Sequence, residues 1–154
     1  MERSKNIFDK IGSLIPGYRG YAEREGRRQS DKLLRNQISE EISECESVLQ
    51  NRIKLEIKAK NFNSLEDLEE CRKKFNTLSS KIKFASYGES AFFSDSQIKE
   101  DELLKIYQLD HDIFGIVNRL KDNLKDMTAS AVSSDITNLY SSFKERNRFI
   151  KEHK

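Results

Sequence analysis

Apolar residues recur along the middle of this chain in steps of three and four. Leu34, Ile38, Ile42, Cys45, Leu49, Ile53 and Ile57 form one such stripe. That period belongs to one face of a helix and not to the alternation of a strand. It predicts a first long helix over about residues 22–60, roughly 58 Å long at the helical rise. Its opening turns, up to Gln29, are almost bare of apolar residues. They either stand clear of a bundle or are covered by loops.

The same reading predicts the other elements. Ser4 caps a short N-terminal helix over about 5–14, with Ile7, Phe8, Ile11 and Leu14 on its apolar side. Asn61-Phe62-Asn63 is a short connection, and Ser64 with Asp67 caps a helix over about 65–85. Leu65, Leu68, Cys71, Phe75, Leu78, Ile82 and Ala85 are its stripe. So short a connection makes it an antiparallel neighbour of the first long helix. A helix over about 97–127 follows an Asp95-Ser96 cap. It turns Leu103, Ile106, Tyr107, Asp110, Ile113, Phe114, Val117, Leu120, Leu124 and Met127 to one side. The small residues Thr128 to Ser134 break the chain. Ser134 then caps a last helix over about 135–151, with Ile136, Leu139, Tyr140, Phe143 and Ile150 inward. The expected fold is all-α: an elongated antiparallel bundle of four main helices plus the short N-terminal one, in a single domain spanning residues 1–154.

Two irregular stretches interrupt the helices. In Ile15 to Arg35, Pro16 fixes its own φ and pushes Ile15 toward extended backbone, ending the first helix. Gly17 and Gly20 give tight-turn freedom around Tyr18 and Arg19. Tyr18 and Tyr21 suit either a plug on the bundle end or a stacking surface. Beyond them, Arg24, Arg28 and Arg35 fall on one helical stripe with Lys32 beside it. Glu23, Arg27, Asp31 and Arg35 are spaced for ion pairs four apart. The stripe is either a solvated, salt-bridged face or a site for phosphate or carboxylate. In residues 86–96, Tyr87, Phe92 and Phe93 are too apolar for a loop that floats in water. The second long helix returns only to the level of Leu34 to Gln37. A connection that continues past that level brings Tyr87, Phe92 and Phe93 to the Tyr18/Tyr21 turn.

Composition sharpens this picture only in places. Charged residues make up 35% of the 154, with six Gly, one Pro and no Trp, which fits long helices and coiled coils. The net charge is only +2, yet residues 1–35 carry nine Lys/Arg against five Asp/Glu, so the molecule is polarised. Such a balance argues against a general nucleic-acid coat. No run is long and apolar enough for a membrane span and no secretory leader is visible, so a cytoplasmic protein is expected. Cys45 and Cys71 lie on apolar stripes about eight residues out of register, about 12 Å, and are expected to be buried free thiols. The N-terminal helix has basic residues suited to a membrane interface, but it is short and carries Asp9, so docking on the bundle is expected.

Candidate chemistry is sparse. There is no Walker loop and no dinucleotide fingerprint. The Glu-x-x-His pairs of di-iron bundles are missing: Gln108 precedes His111 and Ile150 precedes His153. His111 is expected at the surface, and His153 in the tail. Asp110 falls on the apolar stripe beside Tyr107, and a buried carboxylate needs partners. An Arg or Lys from the first long helix, or a tyrosine hydroxyl from the loops, is the expected one.

The blocks IPGYRGYAEREGRRQSDK and FASYGESAFFSDSQIKEDELLKIYQLDHDI resemble those of an uncharacterised bacterial family of helical proteins. In that family an I-P-G-Y-x-G-Y-x-x-x-E start precedes Arg-Arg and Asp-Lys, and a Y-G-x-S-x-F-F block precedes an acidic helix. The two blocks cover about a third of the chain, with Gly26 and Ala91 departing from the pattern. The resemblance implies no activity. It implies a bacterial source and that the two blocks form one shared feature.

These observations lead to a non-enzymatic adaptor or scaffold as the expected function. Its binding residues are expected to be Tyr18, Arg19, Tyr21, Arg24, Arg28, Lys32, Arg35, Tyr87, Phe92 and Phe93. The expected partner is another protein or a second copy. The alternative is a nucleic acid or anionic ligand on the same surface. No cofactor, metal or small-molecule substrate is inferred, and a membrane surface is not expected.

Overall fold

The computed structural model describes residues 2–85, 90–94 and 97–153. Its helices are α1 (Glu2–Gly12), α2 (Arg27–Lys58), α3 (Leu65–Lys83), α4 (Glu100–Asn123) and α5 (Ala129–Glu152), with short 3₁₀ turns at Arg24–Gly26 and Ala91–Phe93. Among the described residues there is no strand, and no helix is long and apolar enough to cross a membrane.

The expected all-α bundle is present, with shifted boundaries. The first long helix begins only at Arg27, after the 3₁₀ turn at Gly26. The last helix begins six residues earlier than the Ser134 cap predicted. Thr128 is its N-cap, its hydroxyl accepting from the Ala131 N–H at 3.1 Å. Serines in this segment are tolerated because α5 buries Val132 and Asp135 in its first two turns. Ser4 is not a cap but lies inside α1, and its hydroxyl donates to Glu100 of α4. Ser64 occupies the N-cap of α3 without a side-chain cap bond. The Asp95-Ser96 cap lies outside the described residues. Glu102 instead accepts from the Lys99 N–H at 3.1 Å, at the start of α4.

α2 packs beside α3 and α4, and α5 closes the square by packing beside the same two. α3 and α4 therefore face each other across a diagonal. The described part of the connection between them, residues 90–94, lies at one end of the bundle, which is called the base below. Directions follow from the cross-links. Ser39 and Ser79 exchange hydroxyl-to-carbonyl bonds at 3.0 Å, which sets α3 antiparallel to α2 at close approach. Lys121 reaches Glu41 and Glu44, and Arg52 donates to the Leu124 and Met127 carbonyls, so α4 runs parallel to α2. Arg119 pairs with Asp135 at the far end of α4/α5. α1 lies against α4.

One core runs the length of the square: Leu34, Ile38, Ile42, Leu49, Phe75, Ile82, Ile106, Ile113, Val117, Leu120, Leu139, Phe143 and others are buried. Cys45 and Cys71 are buried free thiols, as expected. Burial pushes the Cys45 thiol up to about 12. Three stripe positions turn outward. Ile57 and Leu14 are exposed, and Tyr140 is 37% exposed beneath the ammonium groups of Lys81 and Lys144.

Candidate functional site

The turn after α1 is built around Tyr21. Gly17 and Gly20 both have positive φ, +84° and +76°. Gly20 also leaves the only room available there: a Cβ would strike the Phe8 ring at 2.7 Å and collide with the Tyr107 hydroxyl. This close approach seats Tyr21 at the mouth of the core, where it is fully buried. Its ring stacks on Tyr107 at 5.6 Å and meets the edges of Phe92 at 5.3 Å and Tyr18 at 5.9 Å. Every polar atom of Tyr21 is engaged. Its N–H donates to the Tyr107 hydroxyl at 2.9 Å, and its carbonyl accepts from Arg27 Nε at 2.9 Å. Its hydroxyl donates to Asp110 Oδ2 at 2.7 Å and accepts from Arg146 Nη2 at 3.0 Å.

Asp110 and Arg146 are completely buried and bonded through Oδ1 and Nε. The same guanidinium donates to Asp31 at 2.8 Å, and Arg35 donates to the other Asp31 oxygen at 2.9 Å. Two carboxylates and two guanidiniums thus form a network joining α2, α4 and α5 to the turn. Burial raises the Asp110 carboxyl above its ordinary value, against the opposing pull of Arg146 and the Tyr21 hydroxyl. Burial also holds the Tyr18, Tyr21 and Tyr107 phenols above theirs. Removing one ion of such a set leaves an uncompensated charge inside the protein.

Residues 90–94 close over this cluster. Ser90 donates to the Ile150 carbonyl and accepts from the Phe92 N–H, starting the 3₁₀ turn that drives Phe92 into the core. Arg27 bridges the two irregular stretches, donating to the Tyr21 carbonyl and, at 3.3 and 3.5 Å, to those of Phe92 and Ser94. Arg35 donates to the Ile82 and Lys83 carbonyls and so caps α3.

The expected meeting of the two stretches is therefore seen for Phe92, which touches Tyr21, and for Phe93, whose ring lies 4.9 Å below Arg28. Tyr87 lies outside the described residues. Tyr18, Tyr21, Phe92 and Phe93 are buried, so they form a plug and not a stacking surface. Arg35 is turned inward to Asp31 and the α3 end. Arg24, Arg28 and Lys32 are exposed on α2 and the turn before it, and Arg19 is half-exposed, pairing with Glu23 at 3.6 Å. These four form a basic rim around the plug.

Sequence reasoning found Asp110 and its tyrosine partner but placed the cation on the wrong helix. It comes from α5, not α2. The signal for Arg146 was present: it falls three after Phe143 and four before Ile150, on the apolar stripe. Asp31 was read as a surface partner of Arg35, and its second partner required the fold. His153 is not a loose tail residue. It is buried, faces Phe92 at 5.8 Å and pairs with Glu102 at 3.3 Å. Among the described residues no group of His, Cys, Asp or Glu is arranged to hold a metal ion. Comparison of the chain with family models, curated proteins and solved structures returns no match.

Proposed function

We propose that this chain is a non-enzymatic helical adaptor that binds an acidic segment of a protein partner through the basic rim of its base. The observation that carries this reading is the division of labour at Ile15 to Arg35. The aromatic residues are spent inside the fold, while Arg19, Arg24, Arg28 and Lys32 remain outside on backbone that the plug immobilises. Rigid, closely spaced cations favour a carboxylate-rich surface, since little side-chain and backbone freedom is lost on binding.

A nucleic acid or other anionic ligand on the same rim is the second reading. It is supported by the charge alone, because Tyr18, Tyr21 and Phe92 are not available to stack on bases. Binding of that kind weakens steeply with salt and is indifferent to sequence. The test is an affinity capture from native lysate with wild type and an Arg24→Glu/Arg28→Glu variant, with and without nuclease. A protein that cross-links to the rim, is lost in the variant and is indifferent to nuclease supports the adaptor. Recovery of nucleic acid instead supports the second reading. Both arginines are exposed, so the variant is expected to keep the wild-type circular dichroism; if it unfolds, the stripe is structural and both readings fail.

A further inference from the structure

The other end of the molecule has the opposite character. Arg52 marks the level at which α4 ends, through its bonds to the Leu124 and Met127 carbonyls. α2 runs on to Lys58, about 9 Å further at the helical rise. The α2–α3 hairpin therefore projects beyond the α4/α5 end. Between Leu49 and Leu68 no residue is buried. Yet this tip carries three of the six large apolar side chains that are exposed among the described residues: Leu55 at 58%, Ile57 at 50% and Phe62 at 60%. Lys54, Lys58 and Lys60 are interleaved with them, all exposed. Glu56 accepts from the Asn61 side chain, and Glu66 and Asp67 occupy the first turn of α3, against the positive end of its dipole.

We propose that this hairpin tip docks the protein on a bilayer containing anionic phospholipid. Two features select that occupant. First, Leu55 and Ile57 are two residues apart, so they point to nearly opposite sides of α2. A single protein surface, or a second copy laid against the hairpin, covers one of them and leaves the other in water. An interface entered end-on surrounds both. Second, lysines alternating with apolar side chains match the layering of such an interface. Phe62 at the turn and the two aliphatic groups reach the acyl boundary, while the ammonium groups extend back to the phosphates. The proposal is independent of the basic rim, which lies at the other end of α2.

Vesicle flotation of the full chain tests it, using phosphatidylcholine alone or with about 30 % phosphatidylglycerol. Wild type is expected to float with the anionic vesicles and not with the neutral ones. Leu55→Ser/Phe62→Ser and Lys54→Glu/Lys58→Glu are each expected to weaken binding by at least about tenfold. Arg24→Glu/Arg28→Glu is expected to bind as wild type does. The chain has no tryptophan, so Phe62→Trp supplies a single reporter whose emission should shift to the blue on anionic vesicles. Absence of binding at low salt overturns the proposal, as do tip variants that float like wild type, loss of binding in the rim variant, or an unshifted tryptophan. Light scattering covers the remaining occupant: a wild-type dimer that Leu55→Ser/Phe62→Ser converts to monomer assigns the tip to a second copy and overturns lipid docking.

Discussion

At the base of the bundle, Asp31, Asp110 and Arg146 lie inside the protein and the aromatic residues are packed around them. At the hairpin tip, lysines and three large apolar side chains share the surface and nothing is buried. The two ends are joined by one continuous helix, α2, yet burial is assigned in opposite ways. The base shows what the fold demands. A hydrophobic plug alone tolerates sliding and repacking, whereas a network of fixed donors and acceptors accepts one arrangement of α2, α4, α5 and the turn. The tip shows where the fold demands nothing. Residues there neither fill the core nor satisfy buried partners, so their apolar character has no folding explanation.

The contrast is broken most sharply at Arg146. Arg146→Met keeps much of the volume but leaves the buried Asp110 with no cation and Asp31 with Arg35 alone, and is expected to cost about 3–5 kcal/mol in urea unfolding. Adding Asp110→Leu to it should recover part of that loss. If Arg146→Met is neutral, the base is held by packing and the network is incidental. Next is Gly20→Ala, which forces a side chain onto positive φ and against Phe8 and Tyr107, with an expected cost of about 1–3 kcal/mol.

Alkaline pH probes the same end without mutation. The folded protein holds the Tyr18, Tyr21 and Tyr107 phenols above the ordinary 10.0, so the unfolded chain loses these protons first. Their contribution is intact below pH 10 and declines as pH rises past it, by up to about 1.4 kcal/mol per tyrosine per pH unit. The thermal midpoint followed between about pH 9 and 11.5 checks this, and Tyr18→Phe should shallow the decline. The smallest expected effect lies at the tip. Leu55→Ser and Phe62→Ser should each change stability by less than about 0.5 kcal/mol in the same assay. A large loss at either would show that the tip is part of the core after all.

How much of this was legible in the chain depends on the range of the interaction. Helical stripes are local, and the period alone placed every main helix and most buried positions. Boundaries moved where a competing local preference won: Gly26 delayed α2, and Thr128 offered a cap before Ser134 did. The meeting of Phe92 with Tyr21 was legible from helix lengths, because a rigid rod constrains where its connection begins. The partners of Asp110 were half legible. A carboxylate on an apolar stripe announces its need, but which cation answers is a property of the assembled square. Exposure at Ile57 was hidden because the stripe keeps its period beyond the point where neighbouring helices end.

The Tyr21–Arg146 bond spans 125 positions in the chain. The α2/α3 hairpin can form from adjacent sequence, with its serine contacts complete. The N-terminal turn cannot, since the partners of the Tyr21 N–H and hydroxyl, Tyr107, Asp110 and Arg146, come from α4 and α5. Contacts of such long range are entropically late in folding. During synthesis, the aromatic turn leaves the ribosome well before the guanidinium that closes over it. The base network therefore cannot close before Arg146 of α5 is in place. Until α5 arrives, the nascent chain presents the very rings that the finished molecule hides.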